Sequence, residues 1–307
     1  MPLTRKNARM TTPDSADAVT ELLLAHVDRA TTGPLDDPAV VAAVVGVERL
    51  VVATGSTDAH VLRDALAGRP VAGADAGHVA DLVAEARGHV AAGLIRRDSG
   101  QSVDAGVVNP ASGGYEITTD ANLLRAAVRA AQGSIDAMPY YGARYGARGS
   151  RFATTDSAWL ISLARLGSDR AIHQVEWLAR VLAARGMPSW LLEIHLDALV
   201  AEVRAVAGED AVGSLPAAAL ALAAVRRRHV DDDLLRAADD WADEALGDAL
   251  PVPRAGALMA AAVADLRAGV TRDDSSLVDW LTDPARVPET VVTALLAVRQ
   301  RILDQAL

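Results

Sequence analysis

The chain has 307 residues, 51% of them hydrophobic, with a formal net charge of −10. That length buries a substantial core and suggests two or three domains, while the acidic balance excludes a general nucleic-acid binder, which needs a basic footprint. Cysteine is absent, which excludes disulfides, thiolate metal sites, a thiol nucleophile and thioether attachment of a haem or bilin. The apolar excess is Ala, Leu and Val, with only 3% aromatics. Ala and Leu are strong helix formers, so the expected fold is all-α, a multi-helix bundle assembly.

In chain order, residues 1–12 read as a disordered leader without a signal-peptide core, and Met10 is an alternative start. Residues 14–95 form an expected N-terminal helical domain. A helix from Ser15 has Val19, Leu22, Leu23, His26 and Val27 at helical spacing. The stretch 38–54 opens with Pro38 at a favoured helix-start position. Its Val-Val repeats leave a strand open, although length and Ala content favour helix. A third helix starts near the Ser56/Thr57/Asp58 cap and ends at Gly68, and a fourth starts at Ala76. Residues 96–114, rich in Gly, Ser, Asn and Pro, read as a linker or long loop.

A central domain is expected over 115–208, where Ser/Thr/Asp caps and Gly or Pro stops recur. One helix runs from Thr119/Asp120 to Ala137. The Tyr/Arg/Gly stretch from Pro139 follows as turns or irregular helix. Thr155/Asp156 is expected to cap the next helix, Ser168/Asp169 another, and Pro188/Ser189 opens the last. The final domain, 214–307, reads as Ala-rich helices over 216–229, 232–246, 254–268, 275–281 and 288–305. No apolar run spans a bilayer, and the expected location is cytoplasmic. Apolar helix faces make a homodimer plausible.

Eight of the ten aromatic residues lie between Tyr115 and Trp190. Within this region Tyr140, Tyr141, Arg144, Tyr145, Arg148, Arg151 and Trp159 form the candidate binding surface for a protein partner or a small anionic ligand. Guanidinium forks suit carboxylate or phosphate and stack on rings. The alternative is a tight turn region whose arginines pair with carboxylates. No phosphate-loop, dinucleotide or nucleophile-elbow motif occurs. Glu193 and His195 stand two apart on a helix and so do not face one another, which is poor metal spacing. The acidic run from Asp231 to Glu244 resembles the carboxylate-rich helices of Mg²⁺-dependent prenyl-transferring enzymes. Asp239 and Asp243, at i and i+4, are the candidate metal pair there, against a reading as a solvated helix face.

Residues 156–206 carry a helix with Trp159, a break at Leu166-Gly167-Ser168-Asp169, a second helix, the turn Arg185-Gly186-Met187-Pro188 and a long final helix. This pattern resembles the closing helices of the globin and phycobiliprotein superfamily. The turn Gly186-Met187-Pro188-Ser189-Trp190 is also similar to that of globin-coupled sensor domains. The resemblance implies a globin-like central unit without the usual cofactor ligands, since Leu182–Arg185 holds no histidine at the proximal place. His173 and His195 would be the substitute axial ligands.

Three functions follow as expectations. The first is a regulatory, sensor or protein-interaction module with no resident cofactor. The second is a non-covalent haem or bilin binder. The third is an Mg²⁺-dependent helical-bundle enzyme acting on a diphosphate.

Overall fold

The computed structural model describes residues 15–28, 33–107 and 116–307. The fold is an all-α multi-helix bundle: every regular element among the described residues is helical. One isolated bridge pairs Pro34 with Asp120. Residues 1–12, Tyr115 and most of the second half of the 96–114 segment lie outside the described residues. Two compact units form, one within residues 1–110 plus 119–121, the other within 111–118 plus 122–307.

The first unit comprises α1 (Ser15–Asp28), α2 (Pro38–Thr54), α3 (Ala59–Leu66) and α4 (Ala76–Asp98). The Val-Val stretch is helical, with Asp37 accepting from the Ala39 amide at 2.8 Å and Gly55 closing the other end in the left-handed region. Residues 38–50 of α2 are buried almost without interruption. A helix that is apolar all round belongs in the interior, and there tertiary burial outweighs the modest helix cost of β-branched residues. α2 packs on α4 through small residues. A Cβ placed on Gly93 would stand 2.7 Å from the Ala39 Cα and 2.9 Å from the Pro38 carbonyl, so only glycine allows this approach. α4 runs to Asp98, three residues into the expected linker, and Arg96 pairs with Asp104 at 2.7 Å.

The second unit holds α5 (Ala121–Ala137), α6 (Tyr140–Leu163), α7 (Ser168–Ala183), α8 (Ser189–Ala207), α9 (Glu209–Val212), α10 (Leu215–Arg227), α11 (Asp232–Leu246), α12 (Ala255–Arg267), α13 (Ser275–Leu281) and α14 (Glu289–Gln305). Its central helix is α12, buried continuously from Ala255 to Asp265. One hydrophobic core joins Met138, Tyr140 and Trp190 to α11, α12, α13 and α14. Residues 115–208 and 214–307, read from the sequence as two domains, therefore share a core here.

α6 differs from the expected turns. It is helical from Tyr140, with a single break at Gly146 (φ 55°, ψ −152°), a conformation glycine reaches without a Cβ penalty. The expected Thr155/Asp156 cap is absent because the hydroxyls turn back on their own helix. Thr154, Thr155 and Ser157 donate to the carbonyls of Ser150, Arg151 and Ala153 at 3.1, 3.2 and 2.5 Å. α7 starts at Gly167 without a side-chain cap.

α8 is capped from a distance. The buried Asp265 of α12 accepts from the Ser189 amide at 2.7 Å and from the Ser189 hydroxyl. One turn on, buried Glu193 accepts from Arg226 Nε at 2.9 and 3.1 Å. Arg226 also donates to the Val230 carbonyl and to Asp232. No single helix among the described residues is long and apolar enough to cross a membrane.

Candidate functional site

The second unit contains a cavity of about 980 Å³ walled by α5, α6, α7 and α8. α6 supplies Tyr141, Tyr145, Arg148, Phe152, Asp156 and Trp159, a stripe at three- and four-residue spacing. α7 supplies a matching stripe of His173, Trp177 and Val181, and Arg185 and Met187 follow from the α7–α8 turn. Trp159 and Trp177 meet edge to face with centroids 6.0 Å apart, and Trp177 remains 47% exposed. Ser134 of α5 and His195 of α8 contribute polar groups to the lining.

His195 is buried and pinned between two serines. Ser134 Oγ lies 2.8 Å from Nδ1 and Ser157 Oγ lies 3.0 Å from Nε2. Burial alone pushes its pKa down to about 4, so the ring is neutral at neutral pH. A neutral imidazole has one N–H. One serine therefore receives that proton and donates to its own helix carbonyl, Ala130 or Ala153. The other turns its hydroxyl onto the bare nitrogen. No carboxylate hydrogen-bonds the ring among the described residues, so the arrangement pins three helices rather than building an oriented Ser-His-acid triad. Glu193, on the opposite side of α8, is committed to Arg226, and burial raises its carboxyl.

Half of the Tyr/Arg stretch faces elsewhere. The Tyr140 hydroxyl donates to the Gly186 carbonyl, and Tyr145 donates to the Arg185 carbonyl at 2.9 Å. Arg144 reaches Tyr140, Gly186 and Ser276, donating to the Ser276 carbonyl at 2.6 Å. Its guanidinium lies 5.7, 5.3 and 5.6 Å from the rings of Tyr140, Tyr145 and Trp280. Burial raises the pKa of Tyr140, Tyr141 and Tyr145, which keeps all three phenols protonated as donors. Gly186 sits at φ 81°, and a Cβ there would strike the Arg144 guanidinium. The stretch around Tyr140 and the Gly186-Met187-Pro188 turn, separate features in the sequence, thus form one latch.

Of the residues singled out from sequence, Tyr141, Tyr145, Arg148, Trp159, His173 and His195 line the cavity. Tyr140 and Arg144 hold the latch, and Arg151 is not on the lining. Phe152 closes the stretch expected as the working surface and is on the lining, whereas Trp177, Arg185 and Ser134 were not singled out; the paired stripes on α6 and α7 were the available signal. Asp239 is part-buried and caps α12, accepting from the Ala257 amide at 2.8 Å and from Arg254 at 3.3 Å. Asp243 lies on the same helix, and no group of three or more metal-ligating side chains occurs among the described residues.

Fold and site together define an all-α bundle with an open, aromatic, ligand-sized cavity between its helices. No family model, curated protein or solved structure matches the chain.

Proposed function

We propose that this chain is an all-α regulatory module whose second unit senses a small, largely apolar ligand in the α5–α8 cavity. The observation that carries the reading is the cavity itself. Its 980 Å³ is the scale of pockets for drug-sized ligands, which are typically apolar and aromatic with a few polar groups. A ligand there would touch Arg185 and Met187 of the turn that the latch holds from α6. Occupancy and the position of that turn would then be linked, giving a partner protein a surface that reports the ligand. A cytoplasmic location belongs to the same reading.

The test is a titration with N-phenyl-1-naphthylamine, a neutral aromatic probe, into wild type and Ala153→Trp. Ala153 lines the cavity, so the indole would project into it and take up part of the space beside the rings. Saturable binding by wild type at one equivalent, weakened by Ala153→Trp, is the expected result. Absence of saturable binding, or equal binding by both proteins, refutes the reading.

A non-covalent haem or bilin is the second reading, and His173 favours it. This side chain lines the cavity and makes no side-chain hydrogen bond among the described residues, whereas His195 is already held at both nitrogens. The globin-like resemblance of residues 156–206 implies a unit without the usual cofactor ligands, so in this alternative His173 would be a substitute axial ligand. A Soret or red-shifted bilin band saturating at one equivalent, and lost in His173→Ala, is its expected signature. A spectrum unchanged from the free pigment sinks it.

A further inference from the structure

We infer that the cavity's ligand is an organic anion: a flat, multi-ring aromatic body carrying a carboxylate- or sulfonate-type group, with Arg148 and Arg185 as the anion's partners. This rests on the cavity being a ligand site and adds the chemical class of the ligand.

Two observations converge. The first is charge left uncompensated at an apolar wall. Arg148 and Arg185 both line the cavity, and neither guanidinium has an ion pair or hydrogen bond among the described residues. Both side chains are exposed. Other exposed arginines such as Arg165, Arg170 and Arg180 are likewise without an ion pair among the described residues. What sets Arg148 and Arg185 apart is their place on the cavity lining beside the rings. The cavity lining includes one carboxylate, Asp156, and that side chain is engaged within the chain.

The second observation is the shape and chemistry of the wall beside them. The Arg148 guanidinium carbon stands 5.6 Å from the centroid of the Phe152 ring. Phe152 leads along the same face to Trp159 and its edge-to-face partner Trp177. Rings of this kind take a flat aromatic body by offset stacking or edge contact. A planar guanidinium placed beside them presents its donor fork to an acid group on that body. The neutral His195 on the lining adds no opposing charge.

The experiment compares two probes that share a ring system. 1-Anilinonaphthalene-8-sulfonate carries a sulfonate, and N-phenyl-1-naphthylamine is the same body without it. Each is titrated at low salt into the full chain, the Arg148→Gln/Arg185→Gln double variant and Ala153→Trp, with circular dichroism confirming that each variant is folded. The expected result is tighter binding of the sulfonate probe by wild type. The double variant loses roughly tenfold for that probe only, the scale expected for two solvent-accessible charge pairs, and added salt shrinks the difference. Ala153→Trp weakens binding of both probes alike.

Equal affinity of wild type for the two probes overturns the anion assignment while leaving the cavity as a ligand site. So does a double variant that retains its sulfonate preference, or one that loses both probes and thereby acts on cavity shape. Failure of both probes to bind wild type saturably overturns the cavity reading and this assignment with it.

Discussion

Replacing Asp265 with asparagine removes one charge from the centre of the second unit. The side chain is 2% exposed, and burial pushes its carboxyl up to about 7 despite two hydrogen bonds from Ser189. An unfolded aspartate titrates near 3.9. Between those values the folded protein holds a proton that the unfolded chain has released. The stability contribution is therefore complete below about pH 4 and is lost as pH rises toward 7. Each pH unit is worth about 1.4 kcal/mol, so three units set a ceiling of about 4 kcal/mol. Asparagine keeps the shape and one acceptor for the Ser189 amide, and it has no proton to lose. Asp265→Asn should match wild type near pH 4 and exceed it by up to about 4 kcal/mol at pH 8. Urea unfolding at several pH values, followed by tryptophan fluorescence, measures the difference. All five tryptophans lie in the second unit, so the signal belongs to it. A difference that does not change with pH, or a variant less stable at pH 8, would refute the argument. Asp265 would then be an ionised cap that stabilises α8.

His195 has the opposite sign. Its folded pKa of about 4 lies below the unfolded value near 6.5, so its contribution is complete above pH 6.5 and falls by about 3 kcal/mol toward pH 4. The two slopes offset each other in wild type, and the same urea series should show stability of Asp265→Asn rising with pH in this window. His195→Gln should lose that acid-side slope while costing about 1–3 kcal/mol at pH 7. Tyr140→Phe should cost about 1 kcal/mol and Arg144→Gln about 2 kcal/mol or more, with faster amide hydrogen exchange at Gly186 and Met187; unchanged exchange would argue against the latch. Gly93→Ala should overpack α2 against α4 by about 1–3 kcal/mol, read as lost exchange protection in those two helices.

Much of the fold was written in local chemistry. Asp37, Asp58, Asp75 and Asp231 each accept from amides within three residues, so the helix starts they mark can be read from short windows. Pro188 and Gly208 mark the ends of α8 in the same way, but the carboxylate at its start comes from Asp265, 76 residues away, and is not legible locally. Thr155 and Asp156 look like a cap, yet the Thr155 hydroxyl, like that of Ser157, donates to a carbonyl one turn back inside a continuing helix. The cavity was half legible. The aromatic cluster pointed to the right region, but Ser134 and Ser157 reach His195 across 61 and 38 residues. The division of the Tyr/Arg stretch between latch and lining follows helix faces, Tyr140 and Arg144 on one and Tyr141, Tyr145 and Arg148 on the other. Asp239 and Asp243 stand at ion-sharing spacing in the sequence, where nothing nearby reveals that the Ala257 amide faces Asp239.

The placement of the two central helices along the chain has a consequence for synthesis. In the first unit α2 emerges early, and α3 and α4 can close on it as soon as they appear. In the second, α8, α10 and α11 leave the ribosome before α12, the helix on which they pack. Domains complete in the order in which their parts arrive. The nascent second unit must therefore wait with the Trp190 and Leu191 side of α8 uncovered until its last third is made. During that interval the chain presents its greasiest surfaces to the cell, and a chaperone that recognises exposed aromatic helices would find its substrate there rather than in the finished protein.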